Sequence, residues 1–316
     1  LAIGMDNLVQ ADVVLLDMIF SEPTSEEQDS MLAESISSLN NSVCGFFLRH
    51  KATQNIGDDE LEILGDSSLD LLQSQIMEYE APKFASATFA EMNILPILEA
   101  CTLSGSFSTV RAKDDKLRAY PISMYFKNIL YPSLGIQGLR IKFNKDIQRI
   151  DNKHLELNNK LISLTDDGLV RLNYYDINKY KTISFLDVAT GVVKPEYFKN
   201  KIVILGITEV GAGDIVSTPI GSIPGPLLHY TFMSNLLQDH LIEEFNYIST
   251  ILVILMALMP FILVLLIKKI VYRAIANIVI YTILYIYVRY LFVEYMMYID
   301  MFYPLITLIL SLIGVE

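Results

Sequence analysis

The chain has 316 residues, of which 52% are hydrophobic and 19% charged, with 24 basic and 36 acidic side chains. That length holds one large domain or two ordinary ones, and the apolar share excludes a disordered chain. A net charge of −12 offers no basic field to displace counterions from phosphate, which argues against a nucleic acid partner. The charge is also uneven. From Asn246 onward there are four basic residues (Lys268, Lys269, Arg273, Arg289) and three acidic ones (Glu294, Asp300, Glu316), which leaves 20 basic and 33 acidic before it. An acidic, water-facing domain is joined to an almost uncharged tail.

In chain order, residues 12–20 (DVVLLDMIF) form a short apolar, β-branched run that predicts a buried strand. Ser21-Glu22-Pro23-Thr24 breaks it, and Ser25 with Gln28 three residues later predicts a capped helix start. Leu32, Ile36 and Leu39 supply that helix's apolar face, and residues 43–48 (VCGFFL) predict the next strand. Strand, helix and strand within forty residues make a βαβ unit and hence a parallel sheet. Residues 51–82 are polar and acidic and read as a peripheral excursion. Strands over 105–112 and 117–126 are predicted to form a hairpin through Lys113-Asp114-Asp115-Lys116. A helix over 131–143 follows, then antiparallel strands between 147 and 175.

Residues 201–206 (KIVILG) predict a central strand after a short helix at 195–198. The loop from 206 to 226 holds five of the chain's 15 glycines, and a helix over 227–242 runs almost directly into the tail. A dinucleotide fingerprint is not met, because Pro219 and Pro224 delay the helix that would face a pyrophosphate. The loop is instead expected to floor a crevice at the carboxyl end of the sheet. Asp17 and Glu22 flank the end of the first strand and Asp214 lies in the loop, so these carboxylates can converge on a cation or polar ligand. Alternatively Asp17 caps local backbone amides. His229 faces the crevice or serves as a packing histidine. Gly211, Gly213, Thr218, Pro224 and Gly225 complete the predicted wall, and Leu227, Leu228, Phe232 and Leu236 form the apolar face of the signal-bearing helix.

Residues 245–267 carry no charge and as a helix would span about 34 Å, against a hydrocarbon core of about 30 Å. Second and third spans are predicted over 274–293 and 301–316. The alternative is a set of helices buried in a soluble protein. The only basic cluster, Lys268, Lys269 and Arg273, lies between the first two spans and is expected in the cytoplasm, which places residues 1–243 outside. Arg289, near the outer end of its span, is expected to snorkel. Export of such a domain calls for a leading anchor, so the sequence is expected to continue on both sides. Catalytic motifs of the GxSxG, HExxH, Walker and CxxC types are missing, and no cofactor or resident metal is indicated. Cys44 and Cys101 can be paired or free.

The blocks VVLLDMIFSEP (13–23), YPSL (131–134), FLDVATGVVKPEYFKNKIVILGITEVGAGD (185–214) and TPIGSIPG (218–225), with His229 on the following helix, resemble the second type of CHASE domain, a cyclase- and histidine-kinase-associated extracellular sensing module. The resemblance covers about residues 1–242 and the closing spans. It implies a mixed, largely parallel α/β sheet flanked by helices, with an antiparallel portion, followed by three transmembrane α-helices. It also implies a receptor input module in a bacterial-type plasma membrane, which passes the signal of an unidentified small-molecule or protein ligand to a cyclase, diguanylate cyclase or kinase. The partners implied are the lipid bilayer and, as is common for such receptors, a second copy. The chain departs from the family pattern at Ser108, at Tyr175-Asp176 and at Pro226 and Tyr230 beside His229. Two other readings stay open: a membrane-anchored metal enzyme using Asp17, Glu22 and Asp214, and a transporter component.

Overall fold

The computed structural model describes residues 1–51, 56–71, 83–209 and 215–315. The chain divides into two compact units, Leu1–Leu241 and Ile242–Glu316.

The first unit is built on a parallel sheet of four strands: β1 (Val13–Asp17), β2 (Ser42–Arg49), β3 (Leu103–Ser106) and β4 (Ile202–Gly206). β4 and β2 flank β1, and β3 lies beyond β2. Residues 201–206 are therefore an edge strand of this parallel sheet and not a central one. The central place goes to β1, whose Val13, Val14, Leu15 and Leu16 are all buried. A strand covered on both faces needs no alternation of apolar and polar residues, which is why β1 reads as one apolar run. A short strand, Phe89–Glu91, adds antiparallel pairing to the end of β2.

The two faces of the sheet carry different helices. Val13 and Leu15 point into a core shared with α2 (Leu134–Phe143) and α3 (Pro226–Leu237). Val14, Leu16 and Cys44 point the other way, toward α1 (Glu26–Ser37) and the short helices Ala2–Met5 and Leu95–Ala100. α1 starts as its sequence predicts, with the Ser25 hydroxyl accepting from Gln28 N–H at 3.3 Å. α2 comes so close to the sheet that a Cβ at Gly105 would lie 2.7 Å from Leu134 Cα. Because that neighbour is backbone, Gly105→Ala is expected to cost about 1–3 kcal/mol, read as a lower urea midpoint in pulse proteolysis.

The predicted 105–126 hairpin is not formed. Asp115 adopts a left-handed turn conformation (φ 62°) and its N–H bonds Ala112 O, but the flanking strands diverge. β3 joins the parallel sheet, while Ala119–Pro121 pairs with Leu169–Arg171. The helix expected from 131 begins only at Leu134, because Ile129–Pro132 pairs with Ser123–Phe126 as a strand. The antiparallel expectation for 147–175 holds in Gln148–Arg149, His154–Leu157 and Lys160–Ser163.

α3 ends at Leu237, short of the predicted 242. Asp239 turns left-handed (φ 57°) and His240 N–H returns to Asn235 O at 2.8 Å, which closes the helix. Cys44 and Cys101 are joined in a disulfide, with Cα atoms 5.9 Å apart.

In the second unit, α4 (Asn246–Leu266) and α5 (Ile270–Tyr295) are long and apolar enough to cross a membrane. Most of their apolar side chains, such as Ile254, Leu255, Phe261, Ile278 and Ile286, are exposed, which is the reverse of helices in a soluble core. α6 (Phe302–Val315) has 14 residues, about 21 Å of helix, and is shorter than the third span the sequence predicts. At one end of the unit Glu243–Glu244 pairs in parallel with Met297–Tyr298, and Ser249 Oγ accepts from Asp300 N–H at 2.9 Å.

Candidate functional site

β1 and β4 are neighbours, yet the helices that follow them, α1 and α3, cover opposite faces of the sheet. This reversal makes the carboxyl ends of the two strands a switch point, and open α/β sheets bind ligands in the crevice at such a point. Asp17 closes β1 opposite Gly206 at the end of β4. As an odd-numbered residue of β1, it points to the face that carries α3.

Asp17 and His229 lie beside each other there. The carboxylate Oδ1 lies 3.7 Å from His229 Nε2, and the side chains are 5% and 3% exposed. Asp17 Oδ2 is buried and meets no hydrogen-bond donor among the described residues. The local-capping alternative for Asp17 is thus not what the structure contains. On the far side of the ring, His229 Nδ1 is 2.6 Å from the Tyr120 hydroxyl, whose oxygen accepts from Gly135 N–H at 3.0 Å. Burial pushes the Tyr120 phenol well above its ordinary pKa, so it keeps its proton. A phenol that donates to Nδ1 leaves the ring hydrogen to Nε2, the nitrogen that faces Asp17.

The seat of α3 adjoins this pair. A Cβ built on Gly206 would lie 2.4 Å from Pro226 Cγ and 3.2 Å from Asp17 Cβ, so the Pro226 ring and Asp17 crowd one point at the end of β4. Leu227, Leu228, Phe232 and Leu236 are all buried against the sheet and α2. The predicted helix face is the packed face.

The other predicted site residues divide. Gly211, Gly213 and Asp214 lie outside the described residues. Thr218 is committed to a hairpin, Ile215–Thr218 with Gly221–Pro224, where its hydroxyl donates to Gly221 O at 2.6 Å. Pro224 pairs opposite Ile215, and Gly225 is the residue before the first turn of α3. Glu22 is exposed and makes no hydrogen bond to Asp17. Among the described residues no three His, Cys, Asp or Glu side chains are grouped to hold a metal ion, and the Asp17–Glu22–Asp214 alternative includes a residue outside them.

Sequence reasoning missed the polar partners behind the crevice. Tyr120 sits in a segment that the sequence assigns to a hairpin strand. Thr231 and Asn235 lie on the buried side of α3: Tyr180 OH is 2.7 Å from Thr231 Oγ1, and Asn235 Oδ1 accepts from Asn173 N–H at 2.8 Å. Thr231 and Asn235, polar residues one turn apart on the same helix as His229, were the available signal. Ser108, one of the departures from the family pattern, bonds both Leu48 N and Leu48 O and so serves the sheet. A separate cavity of about 320 Å³ is lined by Leu69, Phe84, Tyr125, Ile129 and Arg149, none of which belongs to the crevice.

An acidic, disulfide-closed α/β domain followed by apolar helices long enough to cross a bilayer has the organisation of a membrane-anchored sensory domain. Residues 4–266 match the CHASE2 domain, and the chain belongs to that family of extracellular sensory, non-catalytic domains. No curated protein and no solved structure matches it.

Proposed function

We propose that this chain is the extracytoplasmic input module of a transmembrane receptor, which senses a ligand at the β1–β4 crevice and passes the signal through its closing helices to a cytoplasmic output domain. The buried Asp17–His229 pair at the seat of α3 carries the reading. A group that enters there must alter how Pro226 rests on Gly206, and so how α3 packs. The disulfide supports the extracytoplasmic placement, because such bonds persist in oxidising compartments. Lys268 and Lys269 between α4 and α5 support a cytoplasmic turn there. In this proposal copies pair as homodimers and α6 completes a third span.

A ligand shifts such an equilibrium only by binding two arrangements of α3 with different affinity. Because α3 ends at Leu237, the signal reaches α4 through residues 238–245 and not through one continuous rod. The test locks the helix. A Cβ on Gly206 would lie 3.1 Å from Pro226 Cβ, a little inside the usual disulfide span of about 3.5–4.5 Å, so cysteines at both positions can join after a shift of a few tenths of an ångström. In the Gly206→Cys/Pro226→Cys receptor, output is expected to differ between oxidised and reduced states, and in neither single variant. Equal output in both states removes α3 from the mechanism.

A further inference from the structure

We infer that the ligand of the β1–β4 crevice presents a primary ammonium group to Asp17; this rests on the crevice being the sensing site. A carboxylate buried to this depth needs donors, and among the described residues Asp17 Oδ2 has none. Among the described residues, Gly206 of β4 and Pro226 and His229 of α3 lie about it, and behind His229 stands Tyr120, whose hydroxyl is 2.6 Å from Nδ1. His229 Nε2 is 3.7 Å from Oδ1, beyond hydrogen-bond reach, and makes no hydrogen bond to Oδ2. The site therefore offers an acceptor and asks for a donor.

Three observations narrow the donor to a small organic cation. First, the residues before Asn246 hold 33 acidic and 20 basic side chains, a field that concentrates cations at the domain's surface. Second, hard metal ions require several oxygen ligands, and the described residues supply no group of three such side chains. Third, a primary ammonium combines a compact charge with three rotatable N–H donors, which suits a single carboxylate oxygen at the end of a strand better than a planar, five-donor guanidinium does. Because Pro226 crowds the same point as Asp17, a head group of this size reaches Oδ2 by easing the first turn of α3 off Gly206. Recognition and the conformational step are then one event.

The ammonium can belong to a free amine or to an amino acid, and the experiment separates these. Full-length chain in nanodiscs is heated with ethanolamine, glycine, ethylene glycol or tetramethylammonium, and the melting midpoint is recorded. At ten times its dissociation constant a ligand is expected to raise Tm by about 3–5 °C. The proposal expects such a rise with ethanolamine, glycine or both, none with ethylene glycol, which lacks the charge, and none with tetramethylammonium, which lacks N–H donors. Asp17→Asn should abolish the rise; if that variant fails to fold, Asp17→Ser makes the same comparison. No rise with either amine, an equal rise with tetramethylammonium, or an equal rise in the Asp17 variant overturns the ammonium assignment. Whether α3 carries the signal is judged separately by the Gly206–Pro226 lock, which requires no ligand.

Discussion

Replacing Cys44 and Cys101 together by alanine is expected to lower the stability of the first unit by about 3–4 kcal/mol. The two cysteines are 57 positions apart, and closing a loop of that length in the unfolded chain removes entropy worth about 4 kcal/mol. Folded geometry does not undercut the gain, since the Cα separation of 5.9 Å is ordinary for a disulfide. Cys44 lies buried in β2, while Cys101 follows the helix Leu95–Ala100 and precedes β3. The bond therefore pins a helix-to-strand corner to the face of the sheet that α1 also covers. Pulse proteolysis in urea is the direct measurement, with an expected fall of about 1–2 M in the midpoint. Reducing the wild-type protein should reproduce the fall. Coincident midpoints for the oxidised wild type and the double variant would show that the bond contributes nothing, and would remove one support for the extracytoplasmic placement.

What the sequence disclosed and what it hid follow from the range of the forces involved. β1, α1 and β4 were legible because each is specified locally: an apolar run, a serine cap, a β-branched stretch ended by glycine. The topology of a parallel sheet places strand ends and following helices side by side, which brings Asp17 near His229, but whether His229 faces a ligand or packs was left open by it. The rank of β4 in the sheet was not, since its intermediate burial is set by which strands come to lie beside it. The false hairpin at 105–126 has the same origin. A turn at Asp115 exists, but whether its arms pair with each other or with distant strands is decided by β2 and by Leu169–Arg171, 50 or more positions away. Tyr120 belonged to that misread segment, and so the hydrogen bond that orients His229 was hidden with it. The helix end at Leu237 was missed for a different reason: a left-handed aspartate at 239 carries no glycine to announce it.

Phe232→Ala is expected to cost about 3–5 kcal/mol, more than any polar change at the crevice. The ring is fully buried and stacks on Tyr120 with centroids 4.3 Å apart and planes 9° apart. It also sits 3.0 Å from where a Cβ on Gly135 would be, so it fills the line along which α2 and α3 meet. Deleting it leaves a cavity between two helices that the sheet holds apart. Tyr120→Phe, by contrast, keeps the stacked ring and loses only the hydroxyl that bonds Gly135 N–H and His229, about 1–2 kcal/mol. A cycle that pairs Phe232→Ala with Tyr120→Ala should show coupling of about 0.5–1.5 kcal/mol, because the stacked pair exists only when both rings are present. Stability alone does not say whether α3 carries a signal, so the comparison needs a control with a similar loss elsewhere. Leu64→Ala serves, since Leu64 is equally buried but packs with Phe46, Leu48 and Met92 in a cluster that contains no part of α3. Both variants should lose stability, and only Phe232→Ala should alter receptor output at a temperature where each remains folded. Parallel changes in output for the two would assign the effect to general loosening and take Phe232 out of the transmission path.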